Sequence, residues 1–272
     1  MSSRGVVYLL QGMGIAERLA VSLWSLRKHY SGDVTVLVGG LKEQTLVRSM
    51  SRDFKCNSLL FDPVALDVRN APLLTKTLIP RLTPFDDTVF LDADTLITGS
   101  IDELFGHDLT LTQYSYRTTH CKLPKKWIRS WLGVDAEIDE LVHKQIEVER
   151  PFINSGIFAF LKGNPQLDRW RLITFRNRRG WGIDQTAMQL LTSELNHRVL
   201  DERFNRCPKW GRAFDDVRIW HFHGRCHCSS KVNCSTVWVP AFMEAMRESA
   251  GGLSTWAGRY DASVLKVLGD NS

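Results

Sequence analysis

Ten residues constrain this chain more than any others: Thr88-Val89-Phe90-Leu91-Asp92-Ala93-Asp94-Thr95-Leu96-Ile97. A run of β-branched and bulky apolar residues reads as a strand buried on both faces. It ends in two carboxylates one residue apart. Open α/β sheets place their ligands beyond the carboxyl ends of the strands, where these acids would sit. Two carboxylates this close repel each other, and a divalent cation, often shared with substrate phosphates, is the cheapest reason to keep them together. The plainer alternative is a strand end with two solvated acids.

The flanking sequence places that strand in an alternating pattern. Gly5 to Leu10 reads as a first strand, and Gly12 to Tyr30 as a helix with Ile15, Leu19, Leu23 and Leu26 on its apolar side. Asp33 to Val38 is a second strand, Leu41 to Arg52 a helix, Asn57 to Phe61 a third strand. Asn70 to Leu82 is a helix interrupted near Pro80, and the strand carrying Asp92 follows. Strands alternating with helices mean an α/β fold with a mostly parallel central sheet.

After Gly99 the rhythm changes. Ser100 to Phe105 has a capping-box pattern, with Ser100 at the cap and Glu103 three residues on. Leu109 to Tyr116 and Phe152 to Phe160 read as strands. Between them, Pro124 to Trp131 and Asp135 to Glu149 are polar and poorly periodic, the expected place for a mobile or substrate-specific region. Pro165 to Arg178 and Ile183 to Leu195 are helices, His197 to Asp201 and Arg218 to His223 short strands, and Val239 to Ser249 a last helix.

Composition bounds the partners. The 272 residues carry a formal net charge of +5, with 43% hydrophobic and 24% charged residues, ordinary for a soluble enzyme. A mildly basic chain suits an anionic small ligand. The densest basic cluster, Arg176 to Arg179, lies in a helical pattern, so no nucleic-acid partner is expected. Neither a signal-peptide pattern nor a transmembrane segment of ~20 apolar residues is present, and a cytoplasmic protein with reduced cysteines is the expectation.

The strand does not stand alone. Thr75-Lys76, Pro84-Phe85-Asp86-Asp87, the Asp92-Ala93-Asp94 strand, Ile101-Asp102-Glu103-Leu104-Phe105, Asn154-Ser155-Gly156-Ile157-Phe158, Asp184-Gln185 and His221-Phe222-His223-Gly224 follow in order. Together they resemble the glycogenin-like glycosyltransferases of family 8, which include bacterial lipopolysaccharide galactosyl- and glucosyltransferases. The resemblance covers roughly residues 5 to 225. It implies a single GT-A (Rossmann-like) domain over 1–272, with a small antiparallel addition to the sheet. The donor-nucleotide half would span about 1–106 and the acceptor and catalytic half about 107–250, before a short tail.

The same resemblance implies transfer of a hexose from a nucleotide-sugar donor, a UDP-sugar by family expectation, to a hydroxyl of a saccharide or other acceptor, with retention. It implies Mn²⁺ or Mg²⁺ held by Asp92, Asp94 and His221, and donor contacts from Gln11, Lys76, Asp92, Ala93, Asp94, Gly224 and Arg225. Asp184, Gln185 and Asn154 would be the catalytic residues. The chemistry agrees, because a departing nucleoside diphosphate gains negative charge that a divalent cation stabilises. Each residue also has a structural alternative: a solvated helix lysine for Lys76, a helix cap for Asp184, a strand-end hydrogen bond for Asn154, a core histidine for His221. His221 and His223 alternate along a strand, so one of them faces the pocket. The resemblance selects His221.

Some features depart from the family. Its Lys-Pro-Trp phrase is replaced by Gly224-Arg225-Cys226-His227-Cys228-Ser229-Ser230-Lys231, so either Arg225 or Lys231 replaces that lysine or the donor's phosphates are held differently. No self-glycosylated tyrosine can be assigned. Cys207, Cys226, Cys228 and Cys234, beside His223 and His227, raise a zinc site, although Cys-x-Cys is not a common zinc spacing and four reduced cysteines are expected. The rival class is a haloacid-dehalogenase-like phosphatase, with Asp92 as nucleophile and Asp94 as acid. That motif normally lies on a first strand and would leave Asn154, Asp184-Gln185 and His221 without a role. A sugar-binding relative with a dead site would lack acids or the histidine, and neither is missing. Gly12-Met13-Gly14 is too short for a dinucleotide fingerprint. The acceptor is left open, with His120 to Arg150 expected to shape its site and Trp127, Trp131, Trp170, Trp181 and Trp210 available to stack on sugars or to fill the core.

Overall fold

The structure, a computed structural model, describes residues 3–62, 71–114, 125–147, 150–208, 216–222 and 232–248. In chain order, β1 (Arg4–Leu10) leads through a 3₁₀ turn into α1 (Ala16–Arg27), then β2 (Asp33–Val38), α2 (Leu41–Phe54) and β3 (Asn57–Leu60). Two short helices, α3 (Ala71–Lys76) and α4 (Ile79–Leu82), precede β4 (Asp87–Leu91) and β5 (Thr95–Ile97). The break between them lies at Thr77 and Leu78, and Pro80 is the second residue of α4, in the first turn where its missing N–H costs nothing. Then come β6 (Leu109–Gln113), α5 (Lys125–Trp131), α6 (Ala136–Glu147), β7 (Ile153–Leu161), α7 (Pro165–Arg176), α8 (Ile183–Leu191), β8 (Arg198–Leu200), β9 (Ile219–His221) and α9 (Val232–Glu248).

The main sheet has seven strands in the order β3-β2-β1-β4-β7-β6-β8. Neighbours pair in parallel except β7, which runs antiparallel to both β4 and β6. A second, two-stranded antiparallel sheet joins β5 to β9. This is the mixed α/β architecture expected, small antiparallel addition included. Alternation along β1 sends Val6, Tyr8 and Leu10 into one core, shared with α1, α2 and α9, and Val7 and Leu9 into the other, shared with α6, α7 and α8. Phe90 of β4 and Phe158 of β7, both fully buried, pack as a tilted pair in the second core with ring centroids 5.2 Å apart.

Three expectations need correction. The polar stretch between β6 and β7 is helical: α5 and α6 bury Trp131, Ile138, Leu141 and Val142. Its charged residues occupy the wet side, with Glu137 paired to Arg169 and Arg176 and Lys144 to Glu140 and Glu194. Ser100 does not cap a helix in a capping box. Its hydroxyl accepts from the Asp102 N–H, and Asp102 to Leu104 form a single 3₁₀ turn. The last helix starts at Val232, ahead of the expected Val239, and continues through Pro240. No helix among the described residues is long and apolar enough to cross a membrane.

Candidate active site

The site lies where β4 ends. Asp92 follows the strand directly, and its N–H donates to the Gly156 carbonyl of β7 at 2.7 Å, so the carboxylate leaves the sheet at a fixed point. The chain turns through Ala93 and Asp94 and re-enters as β5, where Thr95 bonds the Asp92 carbonyl through its hydroxyl at 2.9 Å. Thr95 pairs with His221 across the small sheet. The Phe222 N–H donates to the Asp94 carbonyl at 2.8 Å. That pairing carries His221 from the far end of the chain to the two acids.

His221 Nε2 lies 3.2 Å from Asp94 Oδ1 and 3.6 Å from Asp92 Oδ2. One ligand atom from each of the three residues falls within 4.8 Å of the others. Burial pushes the His221 imidazole down to about 4, against the pull of Asp92, so it is neutral at pH 7. Burial also raises Asp92 above the usual carboxylate range, although Lys76 and His221 oppose it. Two hard carboxylate donors and a neutral imidazole make a donor set that fits Mn²⁺, and Mg²⁺ less closely.

Lys76, the last residue of α3, is buried rather than solvated on a helix surface. Its Nζ donates to Asp92 Oδ2 at 2.8 Å and lies 3.4 Å from Asp184 Oδ2. It also lies over the Phe90 ring, 5.5 Å from the centroid. Burial alone would lower this lysine, but Asp92 and Asp184 outweigh it and hold the ammonium charged, above the ordinary lysine range. Arg18 of α1 approaches Asp94 Oδ2 at 3.7 Å. Gln11, Lys76, Asp92, Ala93 and Asp94 line one cleft with Leu9, Ile15, Pro72 and Leu73. Within it the Gln11 Oε1 is buried without a hydrogen-bond partner, as suits a group waiting for a ligand.

Asn154, Ser155 and Gly156 occupy the start of β7, and each has a different task. Asn154 Nδ2 donates to Gln185 Oε1 at 2.9 Å, and its Oδ1 accepts the Gly156 N–H at 2.8 Å. The Ser155 hydroxyl donates to Asp184 Oδ2 at 2.8 Å. Gly156 leaves room: a Cβ there would overlap the His221 ring and stand 2.6 Å from Asp92 Oδ2. These residues fall in an irregularity of the ladder. Leu111 pairs with Phe158 but Thr112 with Asn154, so β7 carries extra residues here, a device that re-aims side chains beside sites. Asp184 is not the α8 cap expected as its structural alternative, because Gly182 holds that position and Asp184 sits inside the first turn.

The structure therefore gathers Gln11, Lys76, Asp92, Ala93, Asp94, Asn154, Asp184, Gln185 and His221 around the end of β4. Gly224 and Arg225 lie outside the described residues, as do His223, His227, Cys226 and Cys228. Cys207 is buried. Trp131 and Trp170 are core residues, whereas Trp181 is exposed beneath the Lys126 ammonium. Sequence reasoning missed Ser155 as a partner of Asp184, Arg18 beside Asp94, and Asn205, whose Oδ1 lies 2.9 Å from His221 Nδ1.

Solved structures similar to this one include glycosyltransferases. One is the galactosyltransferase LgtC in complex with donor and acceptor sugar analogs. The TM-score is 0.64 at 15% identity, covering 94% of this chain and 100% of that one. An active-site mutant of LgtC is similar, with a TM-score of 0.63. The apo structure of WbbM, a bifunctional glycosyltransferase, gives a TM-score of 0.62 at 16% identity over 94% of this chain; the present chain spans about half of WbbM, 51%. At such identities the likeness is one of fold. No protein-family model and no curated protein matches the sequence.

Proposed function

We propose that the protein is a metal-dependent glycosyltransferase that moves a hexose from a nucleoside-diphosphate sugar, a UDP-sugar, to an acceptor hydroxyl with retention. The observation that carries the reading is the convergence of Asp92, Asp94 and His221 beside the Lys76-Asp184 and Asn154-Gln185 pairs. A haloacid-dehalogenase-like phosphatase would use the two aspartates but gives Asn154, Asp184, Gln185 and His221 nothing to do. The shared fold of known glycosyltransferases supports the transferase over that rival.

Asp92, Asp94 and His221 would hold Mn²⁺, which when bound supplies positive charge to the leaving diphosphate. The chain's own residues do the rest. Lys76 is kept charged by its two acids and gives a second, fixed positive charge on the donor side. Gln11 offers its unpartnered amide oxygen to the donor. Asp184 takes both its contacts on Oδ2, from Ser155 and Lys76, leaving Oδ1 for a sugar hydroxyl. Asn154 holds the Gln185 amide in one orientation, and Gln185 would lie beneath the anomeric carbon of the bound donor.

Among the described residues no strong nucleophile is evident, so the acceptor oxygen would attack from the side the diphosphate leaves. The bond from the anomeric carbon to the acceptor oxygen forms as the bond to phosphate oxygen breaks, and the acceptor's proton passes to that phosphate oxygen. Residues of about 1–106 would serve the donor and those of about 107–250 the acceptor. The test is turnover of UDP-sugars with Mn²⁺ by the native chain and by Asp94→Ala. The expected result is metal-dependent turnover that falls at least ~100-fold in the variant while its melting temperature stays near the parent's. Equal turnover in the two proteins would remove the metal assignment.

A further inference from the structure

We propose that Asn205 is the positioning residue of the metal site: it fixes His221 as the Nδ1–H tautomer, so that the Nε2 lone pair faces Asp92 and Asp94. The inference rests on the proposed metal site and adds the device that prepares its nitrogen ligand. Asn205 is fully buried, directly after a 3₁₀ turn that closes on it. Two independent chains of hydrogen bonds orient its amide. The Thr112 hydroxyl donates to the Ile157 carbonyl at 2.8 Å, so towards Asn205, 2.8 Å away, it acts as an acceptor. Asn154 Oδ1 already accepts from the Gly156 N–H and lies 3.3 Å from the same Asn205 nitrogen. Both neighbours demand N–H donors from Asn205.

The atom left to face His221 Nδ1, at 2.9 Å, is therefore the Asn205 oxygen, which can only accept. Nδ1 must carry the proton. Nε2 is then the ring nitrogen turned towards the acids, 3.2 Å from one carboxylate oxygen and 3.6 Å from another. An imidazole whose far nitrogen is held in this way is a better and better-aimed ligand. The same network ends on the Asn154-Gln185 pair, so one buried amide ties the metal ligands to the residues proposed for catalysis.

The experiment uses the full chain, ¹⁵N-labelled at histidine and free of metal at pH 7.5, with the His221 ring assigned by loss of its signals in His221→Gln. Long-range ¹H–¹⁵N spectra should show the proton on Nδ1 in the native protein. Asn205→Leu should mix the tautomers and weaken Mn²⁺ binding, measured by calorimetry, by about 10- to 100-fold. Asn205→Asp, which keeps an acceptor towards Nδ1, should retain the tautomer and most of the affinity, a rescue that a purely structural role does not predict. A proton on Nε2 in the native protein, or native affinity in a folded Asn205→Leu, overturns the proposal. Should Asn205→Leu not fold, the native tautomer and Asn205→Asp still decide. A native protein with the Nδ1–H tautomer that binds no Mn²⁺ overturns the metal reading and supports the tautomer assignment.

Discussion

Gly156 occupies a place no side chain can enter, with the His221 ring, Asp92 and Asn154 all within contact of its missing Cβ. Gly156→Ala should therefore displace His221 or Asp92 and lower Mn²⁺ affinity by about tenfold or more, as losses around metal ligands do. Calorimetric titration checks this, and an unchanged affinity would mean the ring is not where it is described. Remote from the site, Cys56 gives a pH prediction. Burial pushes its thiol up from 9.0 to about 11. Between those values the unfolded chain has lost the proton that the folded chain keeps, so stability is full below pH 9 and falls as pH rises towards 11. Urea unfolding at pH 8 and pH 10.5 should show a larger loss in the native protein than in Cys56→Ala, by at most about 2 kcal/mol. At this scale the acids were legible because their spacing is itself a signal. Asn205 and Ser155 were not, because their roles exist only once β7, the turn before Asn205 and β9 meet.

The element that joins the halves of the site is β7. It pairs with β4 under Asp92, supplies Asn154, Ser155 and Gly156 at its irregularity, and contributes Phe158 to the second core. Phe90 and Phe158 pack there without solvent contact. Phe90→Ala should cost about 3–5 kcal/mol, read as a lower urea midpoint with little change in slope. A loss below ~1 kcal/mol would mean that the core collapses to fill the gap. The strands were legible because buried strands read as unbroken apolar runs, as in Val89 to Leu91 and Ile157 to Phe160. The helices α5 and α6 were obscured because short apolar stripes sit among many charges, and their ion pairs with α7 are long-range facts. The early start of α9 was hidden by Pro240, which a helix packed through Trp238 and Phe242 on the first core accommodates.

Across the molecule, two cores on opposite faces of one sheet leave the ends of the parallel strands free for chemistry. The α/β class followed from the alternation of strands and helices, and the single reversed strand could not be read from it, since strand direction depends on connections that carry no periodic signal. How the distant phrases at Asn154, Asp184 and His221 reach Asp92 is a property of the whole topology: β4 against β7, β5 against β9, and α8 beneath Lys76. On the proposed function, this convergence binds a nucleotide-sugar through a divalent cation. That binding is tested most directly by the melting temperature of the full chain across a panel of nucleotide-sugars with and without Mn²⁺, since a ligand bound only by the native state must raise it. A UDP-sugar should raise the melting temperature in the presence of Mn²⁺ and leave it unchanged without the metal. A rise of equal size with and without Mn²⁺, or no rise with any nucleotide-sugar, would contradict it.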